Sequence, residues 1–364
     1  MDETKITFVQ KLNTFFLRIS LPEKIFFTEN LRVMIKAGLS LTEALRTLSM
    51  QTDSKGFKAV IIEVQLDVEH GLTLAQSLAK HPKIFEAIFI NMISAGEVSG
   101  TLEKTLEQLT QQMKKDFELM SKVKGALMYP AVILSATTLI GIGMMIFVIP
   151  QILSIFDEIG RDSLPLPTKI LIAVSDFVQH DTLLLIIILA ACISGFMWGI
   201  STKPGRYIWH KFLVSAPVVG PIVKKVNLAR FTRTLSSLLR TDIPIVQALQ
   251  ITSDILRNVY YHDVMLSAAE ALKKGEQIST VLGKSPKLFP PLVVQMIAVG
   301  ERAGTVDAML EEIADFYEAQ VSQTMGNMAS IIEPLLILFL GGAVGGIALA
   351  VITPIYALTT KFGQ

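Results

Sequence analysis

Long uncharged runs alternate along this chain with polar stretches of helical pattern. Between Lys124 and Asp157 there is no charged residue, and 131–149 is almost wholly apolar up to Pro150. As a helix that stretch is about 28 Å long, enough to cross the hydrocarbon core of a bilayer. A second uncharged window covers 182–202 and a third covers 334–360. Helices buried in a soluble core keep polar residues on at least one face, and these windows carry almost none, so three transmembrane spans are predicted. Outside them, Leu31, Ile35, Leu41, Ala44, Leu45 and Leu48, and again Leu235, Leu238, Leu239, Ile245, Ala248 and Leu249, fall three, four and seven apart. That spacing is helical, and hairpin signals such as Asn-Gly are absent. Ser40-Leu41-Thr42-Glu43 and Thr73-Leu74-Ala75-Gln76 both read as capping boxes at helix starts.

The chain also repeats itself at an offset of 204 residues without a gap. Gly71, Leu78, Lys80, Pro82, Lys83 and Phe85 return as Gly275, Leu282, Lys284, Pro286, Lys287 and Phe289, and Pro130 and Pro150 return as Pro334 and Pro354. Several blocks sharing one offset over such a length mark a duplication. Each copy is a polar helical region followed by a span, and the middle span brings the chain back so that the second copy starts on the same side. The expected fold is therefore an all-α membrane protein with two homologous cytoplasmic helical bundles, related as parallel repeats, and three transmembrane helices. The expected division is an N-terminal amphipathic segment (1–22), a first bundle (23–128), span 1 (129–152), an external loop (153–181) and span 2 (182–202). A second bundle (203–330), span 3 (331–358) and an external tail (359–364) follow.

Composition and charge sharpen this picture. The 364 residues are 51% hydrophobic and 18% charged, where a soluble domain carries about 25% charged residues, so a purely soluble fold is excluded. Basic and acidic residues nearly cancel, 33 against 32, and nothing points to nucleic acid. Their placement sets orientation: Lys114, Lys115, Lys122 and Lys124 precede span 1, and Lys203, Arg206 and Lys211 follow span 2. The intervening loop holds Arg161 and Lys169 against Asp157, Glu158, Asp162, Asp176 and Asp181. An inner-membrane, multi-pass protein with a cytoplasmic N-terminus and an external C-terminus is expected. The opening MDETKITF does not have the form of a cleaved signal. Ile6, Val9, Leu12, Phe16 and Ile19 keep helical spacing beside Lys5, Lys11 and Arg18, which suits a helix on the inner leaflet or one facing the first bundle.

The chemistry available is sparse. One cysteine, Cys192, excludes a disulfide framework, and five scattered histidines match no metal spacing. The turns Gly96-Glu97-Val98-Ser99-Gly100-Thr101 and Gly300-Glu301-Arg302-Ala303-Gly304-Thr305 each end a helix at glycine and offer Thr101 or Thr305 as the next N-cap. Glu97 and Glu301 read as acceptors for free helix N–H groups, with a divalent-ion site as the alternative, although no neighbouring His, Asp or Cys completes one. Gly195 with Gly199, and Gly341, Gly342, Gly345 and Gly346, form small-xxx-small pairs that allow close helix packing. The region 203–240 is basic without an acidic residue, and within it Lys224, Lys225, Arg230 and Arg233 form a candidate surface for an acidic partner or anionic lipid. No phosphate-binding loop, metalloprotease or nucleophile-elbow motif is present, so no enzyme activity and no cofactor or metal are expected.

In this order, duplicated and interleaved with three spans, the motifs resemble the inner-membrane platform proteins of type IV pilus and type II secretion machines. The carriers are FTENLRVMIKAGLSLTEAL (27–45) and its copy ARFTRTLSSLLRTDIPIVQAL (229–249), the two Gly-Glu-x-x-Gly-Thr turns, and EPLLILFLGGAVGGIALAVITPIY in span 3. Asp242 stands where the first copy has Gly38, and a changed turn is expected there. The resemblance implies an assembly platform without activity of its own. Its implied partners are a hexameric secretion or pilus ATPase, prepilins or pseudopilins, other inner-membrane components, the lipid bilayer and a second or third copy of itself. The alternative class, a small transporter or channel subunit with cytoplasmic regulatory bundles, needs polar groups in the spans, where only Ser135, Thr137, Thr138, Ser194 and Thr353 are available.

Overall fold

A computed structural model describes residues 19–151, 166–217 and 219–362. The predicted interfacial positions Ile6, Val9, Leu12 and Phe16, the first part of the expected external loop and the last two residues lie outside these. Every regular element among the described residues is helical. In order they are α1 (Leu21–Lys36), α2 (Leu41–Gln51), α3 (Lys55–Glu69), α4 (Leu74–Ala79), α5 (Ala87–Ser99) and α6 (Leu102–Gly143), which runs into a π-helical turn at Met144–Val148. Next come α7 (Leu166–His180), α8 (Thr182–Ser201) and α9 (Lys203–Ser215). The second copy supplies α10 (Val219–Leu239), α11 (Ile245–Ile255), α12 (Val259–Lys273), α13 (Ile278–Gly283), α14 (Pro291–Ala303), α15 (Val306–Gly326) and α16 (Met328–Phe362). The chain forms two compact units, Met1–Ser121 with His210–Val321, and Lys122–Trp209 with Ser322–Gln364.

The first unit holds both bundles, and local sequence explains their helix ends. Ser20, Ser40 and Thr73 each form a reciprocal capping box, with Glu23, Glu43 and Gln76, which satisfies amides that a helix start otherwise leaves bare. At the end of α1, Gly38 takes φ 87° and at the end of α10, Asp242 takes φ 58°. The expectation of a changed turn is corrected here. The Leu39 N–H donates to Met34 O at 3.1 Å and the Ile243 N–H to Leu238 O at 3.3 Å, so the same closure is made in both copies. Aspartate is among the few L-residues that tolerate the left-handed region.

Each bundle closes on aromatic rings at equivalent positions. Phe27, Phe57 and Phe85 are buried, with ring centroids 5.6 Å apart for Phe27 and Phe57 and 6.0 Å for Phe27 and Phe85. In the second copy Phe231, Tyr261 and Phe289 take these places, with separations of 5.7 Å and 5.3 Å to Phe289. The added phenol hydroxyl of Tyr261 is not left bare: it donates to Leu288 O at 3.1 Å. Burial pushes its pKa up, and Tyr317 adds to the shift.

The second unit carries the membrane spans. Three helical stretches are long and apolar enough to cross a bilayer: Leu102–Gln151, which is α6 with its π-helical continuation, Leu183–Ser201 and Ile332–Thr353. Large apolar side chains on them point outward, with Leu139 70% and Leu338 72% exposed, as lipid-facing helices require. The expected external loop is not irregular throughout: α7 occupies 166–180 and packs on the ends of spans 1 and 3, where Ile149, Leu171 and Ala350 are buried together. Its opposite face leaves Leu166, Ile170 and Val174 exposed. Alternating the two faces at helical spacing is what lets a loop-length segment become a helix at this position.

Candidate functional site

The two Gly-Glu-x-x-Gly-Thr segments are helix ends with a long reach. Gly96 and Glu97 lie within the last turn of α5, and the chain leaves the helix only at Gly100, in the left-handed region at φ 69°. The Gly100 and Thr101 amides close on Glu97 O and Gly96 O, a Schellman closure. Gly304 repeats it at φ 71°, with the Thr305 amide on Gly300 O at 2.9 Å. The first glycine of each segment serves another purpose. A Cβ on Gly96 would lie 2.5 Å from Thr105 Oγ1, and one on Gly300 would lie 3.0 Å from the Val306 Cα, so bare backbone is needed for the next helix to fold back. The Thr101 carbonyl accepts from the Thr105 amide and the Thr305 carbonyl from the Met309 amide, at 3.0 and 3.1 Å. The Thr101 hydroxyl pairs with Ser99.

Glu97 does not serve the helix that follows it. Its two oxygens accept from the Leu74 and Ala75 amides at 2.6 and 2.8 Å, in the first turn of α4. Glu301 likewise accepts from the Ile278 amide at 2.5 Å and the Ser279 amide at 3.2 Å, and also from the Ser279 hydroxyl. A carboxylate on free amides at a helix start gains from charge-assisted hydrogen bonds and the helix dipole together. Each carboxylate thus spans two successive amides of a helix start 22 and 23 residues upstream. No group of three or more His, Cys, Asp or Glu side chains placed to hold a metal occurs among the described residues.

The basic run divides. Arg230 Nε donates to Asp116 Oδ1 at 2.8 Å, and Arg233 Nε to Glu318 Oε1 at 2.8 Å, with Asp315 and Glu311 beside it. Lys115 of α6 reaches Glu318 at 3.2 Å and Asp315 at 3.6 Å. Gln112 stitches the same helices together, donating to Thr234 and accepting from Ser237. These contacts form a charged seam on which α6 of the first copy meets α10 and α15 of the second. Burial works against the Arg233 charge, but the hydrogen bonds and charges of Glu318 and Asp315 outweigh it and hold its pKa above the ordinary arginine value. Of the predicted partner surface, Arg230 and Arg233 are thus placed at 16% and 12% side-chain exposure with acidic partners inside this chain. Lys224 and Lys225 of the same run lie in the first turns of α10 and are half-buried. Beside the seam, Gln108, Gln111, Lys115, Arg233, Ser237 and Glu311 line a polar cavity of about 330 Å³.

The small-residue pairs in the spans have no close neighbour among the described residues. A Cβ on Gly195, Gly199, Gly341, Gly342, Gly345 or Gly346 would meet nothing within 4 Å. The close approach in this part of the second unit belongs to Gly205, whose Cβ would fall 2.0 Å from Gly199 O. Sequence reading missed Asp116 and Gln112 and took Lys115 only as a sign of orientation. Their signal was the acidic and amide residues of α6 and α15 at the same register as the basic positions of α10.

Comparison with known proteins adds a family to this geometry. A family model described as type II secretion system (T2SS), protein F, matches twice, over residues 27–150 and 231–354. The chain is 35% identical over 332 residues to the type IV pilus assembly protein PilC of Thermus thermophilus, covering 91% of this chain and 81% of that one. It is also 35% identical to the protein of the same name in Myxococcus xanthus, covering 91% and 79%. To the type II secretion system protein F of Vibrio cholerae it is 33% identical over 347 residues, covering 95% and 85%.

Proposed function

Because the chain belongs to the type II secretion system protein F family, we propose that it is the inner-membrane assembly platform of a type IV pilus or type II secretion machine. The observation that carries this is the family match itself, which falls once on each bundle-plus-span repeat and leaves only the return segment between them. The family is one of structural components, and the chain is not an enzyme. In the proposed mechanism both bundles face the cytoplasm, where a hexameric ATPase acts on them, and the spans receive prepilins or pseudopilins from the bilayer. The distribution of Lys and Arg around spans 1 and 2 supports that sidedness.

The seam suits such a role. Arg230 with Asp116, and Lys115 with Glu318 and Asp315, tie the two copies through partly exposed ion pairs, so force applied to one copy is carried to the other. Contact with a turning ring favours a modest, charge-steered surface, for which Lys224 and Lys225 are the candidate. Photocrosslinkers at these two positions, introduced in cells that make the machine, are expected to capture its ATPase. Charge reversal at both is expected to lower ATPase co-purification and filament or secretion output while leaving membrane insertion intact. Output and salt dependence unchanged by the reversal would move the contact elsewhere on the bundles, whereas normal filaments and secretion after deletion of the gene would overturn the platform role itself.

A further inference from the structure

Pro150 and Pro354 stand at equivalent positions of two homologous spans. Proline has no amide hydrogen, so each leaves one helix carbonyl without its intrahelical donor. In α16 the ladder is α-helical, and the carbonyl four residues before Pro354 is that of Ala350. In span 1 the ladder has slipped: Met144–Val148 is π-helical, and the Ile149 amide bonds to Met144 O, five residues back. The carbonyl that Pro150 deprives in this register is therefore that of Met145. Inside a bilayer, where water is not at hand to replace the lost donor, such a carbonyl must be satisfied by protein.

Both carbonyls are satisfied, and from the same helix. Thr168 Oγ1 of α7 donates to Ala350 O at 2.7 Å. Ser175 Oγ donates to Met145 O at 3.0 Å, and Gln179 Nε2 reaches the same oxygen at 3.1 Å while also donating to Ser175 Oγ at 2.9 Å. Thr168 and Ser175 are 1% and 0% exposed. Together with Leu171 and Ile172 these three polar residues recur at three- and four-residue steps on α7, so one face of that helix carries all the donors. The apolar core they border is small, limited to Ile149, Leu171 and Ala350 with a few half-buried neighbours.

We propose that α7 is a clasp, in which Thr168, Ser175 and Gln179 supply the donors missing at Pro150 and Pro354 and so hold the proline ends of spans 1 and 3 together. The spans are duplicated and the clasp is not. One helix in the return segment therefore fixes the relation between the two repeats at this end of the membrane unit. Because the joint is made by a few side-chain hydrogen bonds to two carbonyls and little apolar area, it is the place where these spans separate first when the platform changes shape.

A double-mutant cycle on the full-length protein in lipid nanodiscs tests this assignment. Thr168→Val, which keeps the shape and removes the donor, is expected to lower Tm by about 2–4 °C, and Ser175→Ala with Gln179→Leu to lower it at least as much. Restoring the amide should make each donor dispensable. The Thr168→Val loss is expected to fall by at least half in a Pro354→Ala background and to persist in Pro150→Ala. The Ser175/Gln179 loss is expected to show the opposite dependence. Losses that simply add in all four combinations would overturn the clasp. Should the proline variants fail to fold, deuterium uptake over 166–180 decides: a rise in the Thr168→Val and Ser175→Ala proteins supports the clasp, and native uptake in both overturns it.

Discussion

The two copies of the bundle share a skeleton and differ in chemistry, most clearly at one ion pair. In the first copy Glu29 of α1 pairs with Lys114 of α6. In the second the same two positions hold Arg233 and Glu318, 2.8 Å apart, with the signs exchanged. Two turns along α1 and α10 the polarity is kept: Lys36 lies 3.5 Å from Glu103, and Arg240 lies 3.8 Å from Asp307. An attraction between two helices does not depend on which carries the positive end, so both partners can change together without cost to the fold. What does change is the surroundings. The Glu29–Lys114 pair is 33% and 49% exposed, while Arg233 and Glu318 are 12% and 15% exposed and sit on the seam. The reversed sign places an arginine where Lys115, Asp315 and Glu311 converge, and lets the second copy use as an interhelical joint what the first leaves as a surface pair.

Reversing these pairs singly should separate the two roles. Arg233→Glu sets a carboxylate among three others in a poorly solvated site and is expected to cost about 3–5 kcal/mol, read by denaturant unfolding in detergent. Adding Glu318→Lys, which gives the second copy the polarity of the first, is expected to recover most of that loss. The same reversal at Glu29 is expected to cost no more than about 1 kcal/mol, since exposed pairs contribute little. Equal costs at the two positions would mean that the seam is no more than another surface pair.

A middle-sized effect is expected at the glutamate clamps. In the first copy α4 is held by Glu97 and also by the Thr73 capping box; in the second, Gln277 makes no side-chain cap, and Glu301 is the acceptor left for α13. Removing a partner from buried amides costs about 1–3 kcal/mol, and Glu301→Ala is expected at the upper end of that range with Glu97→Ala at the lower. Thermal melts of the two variants, side by side, check the order; a larger loss for Glu97→Ala would break the comparison.

The smallest effect is in acid. The hydrogen bond from Lys114, aided by its charge and that of Arg32, holds the Glu29 carboxyl below its ordinary value of 4.5. A depressed pKa stabilises the fold above the unfolded value and loses that contribution as pH falls through the folded one. The native protein is therefore expected to lose its advantage over Glu29→Gln as the pH drops below about 4.5, while the Arg233 end of the equivalent pair stays charged throughout. Urea unfolding of both proteins at stepped pH measures the difference, and a gap that does not close in acid would contradict it.

Much of this was readable along the chain, for a physical reason. Spans, capping boxes and the 204-residue duplication are local or periodic, so Ser40 with Glu43 and Thr73 with Gln76 announce their own geometry. The acceptor role of Glu97 was legible as chemistry but not as an address, because the amides it binds lie 22 and 23 residues upstream, on another helix. Arg230 and Arg233 looked like free charge because their partners, Asp116 and Glu318, are far off in sequence and only the folded seam brings them near. The segment 166–180 read as loop because its polar face, Thr168, Ser175 and Gln179, resembles solvent exposure until the carbonyls it meets are known.

The central claim is that two parallel repeats present both bundles on the cytoplasmic side, and cysteine accessibility in intact cells tests it most directly. In a Cys192→Ala background, Glu69→Cys and Lys273→Cys probe equivalent exposed positions of α3 and α12, and Ser163→Cys probes the segment between spans 1 and 2. A membrane-impermeant maleimide is expected to label Ser163→Cys in intact cells, and Glu69→Cys and Lys273→Cys only after permeabilisation. Labelling of Lys273→Cys but not Glu69→Cys from outside would place the repeats on opposite faces of the membrane and contradict the account.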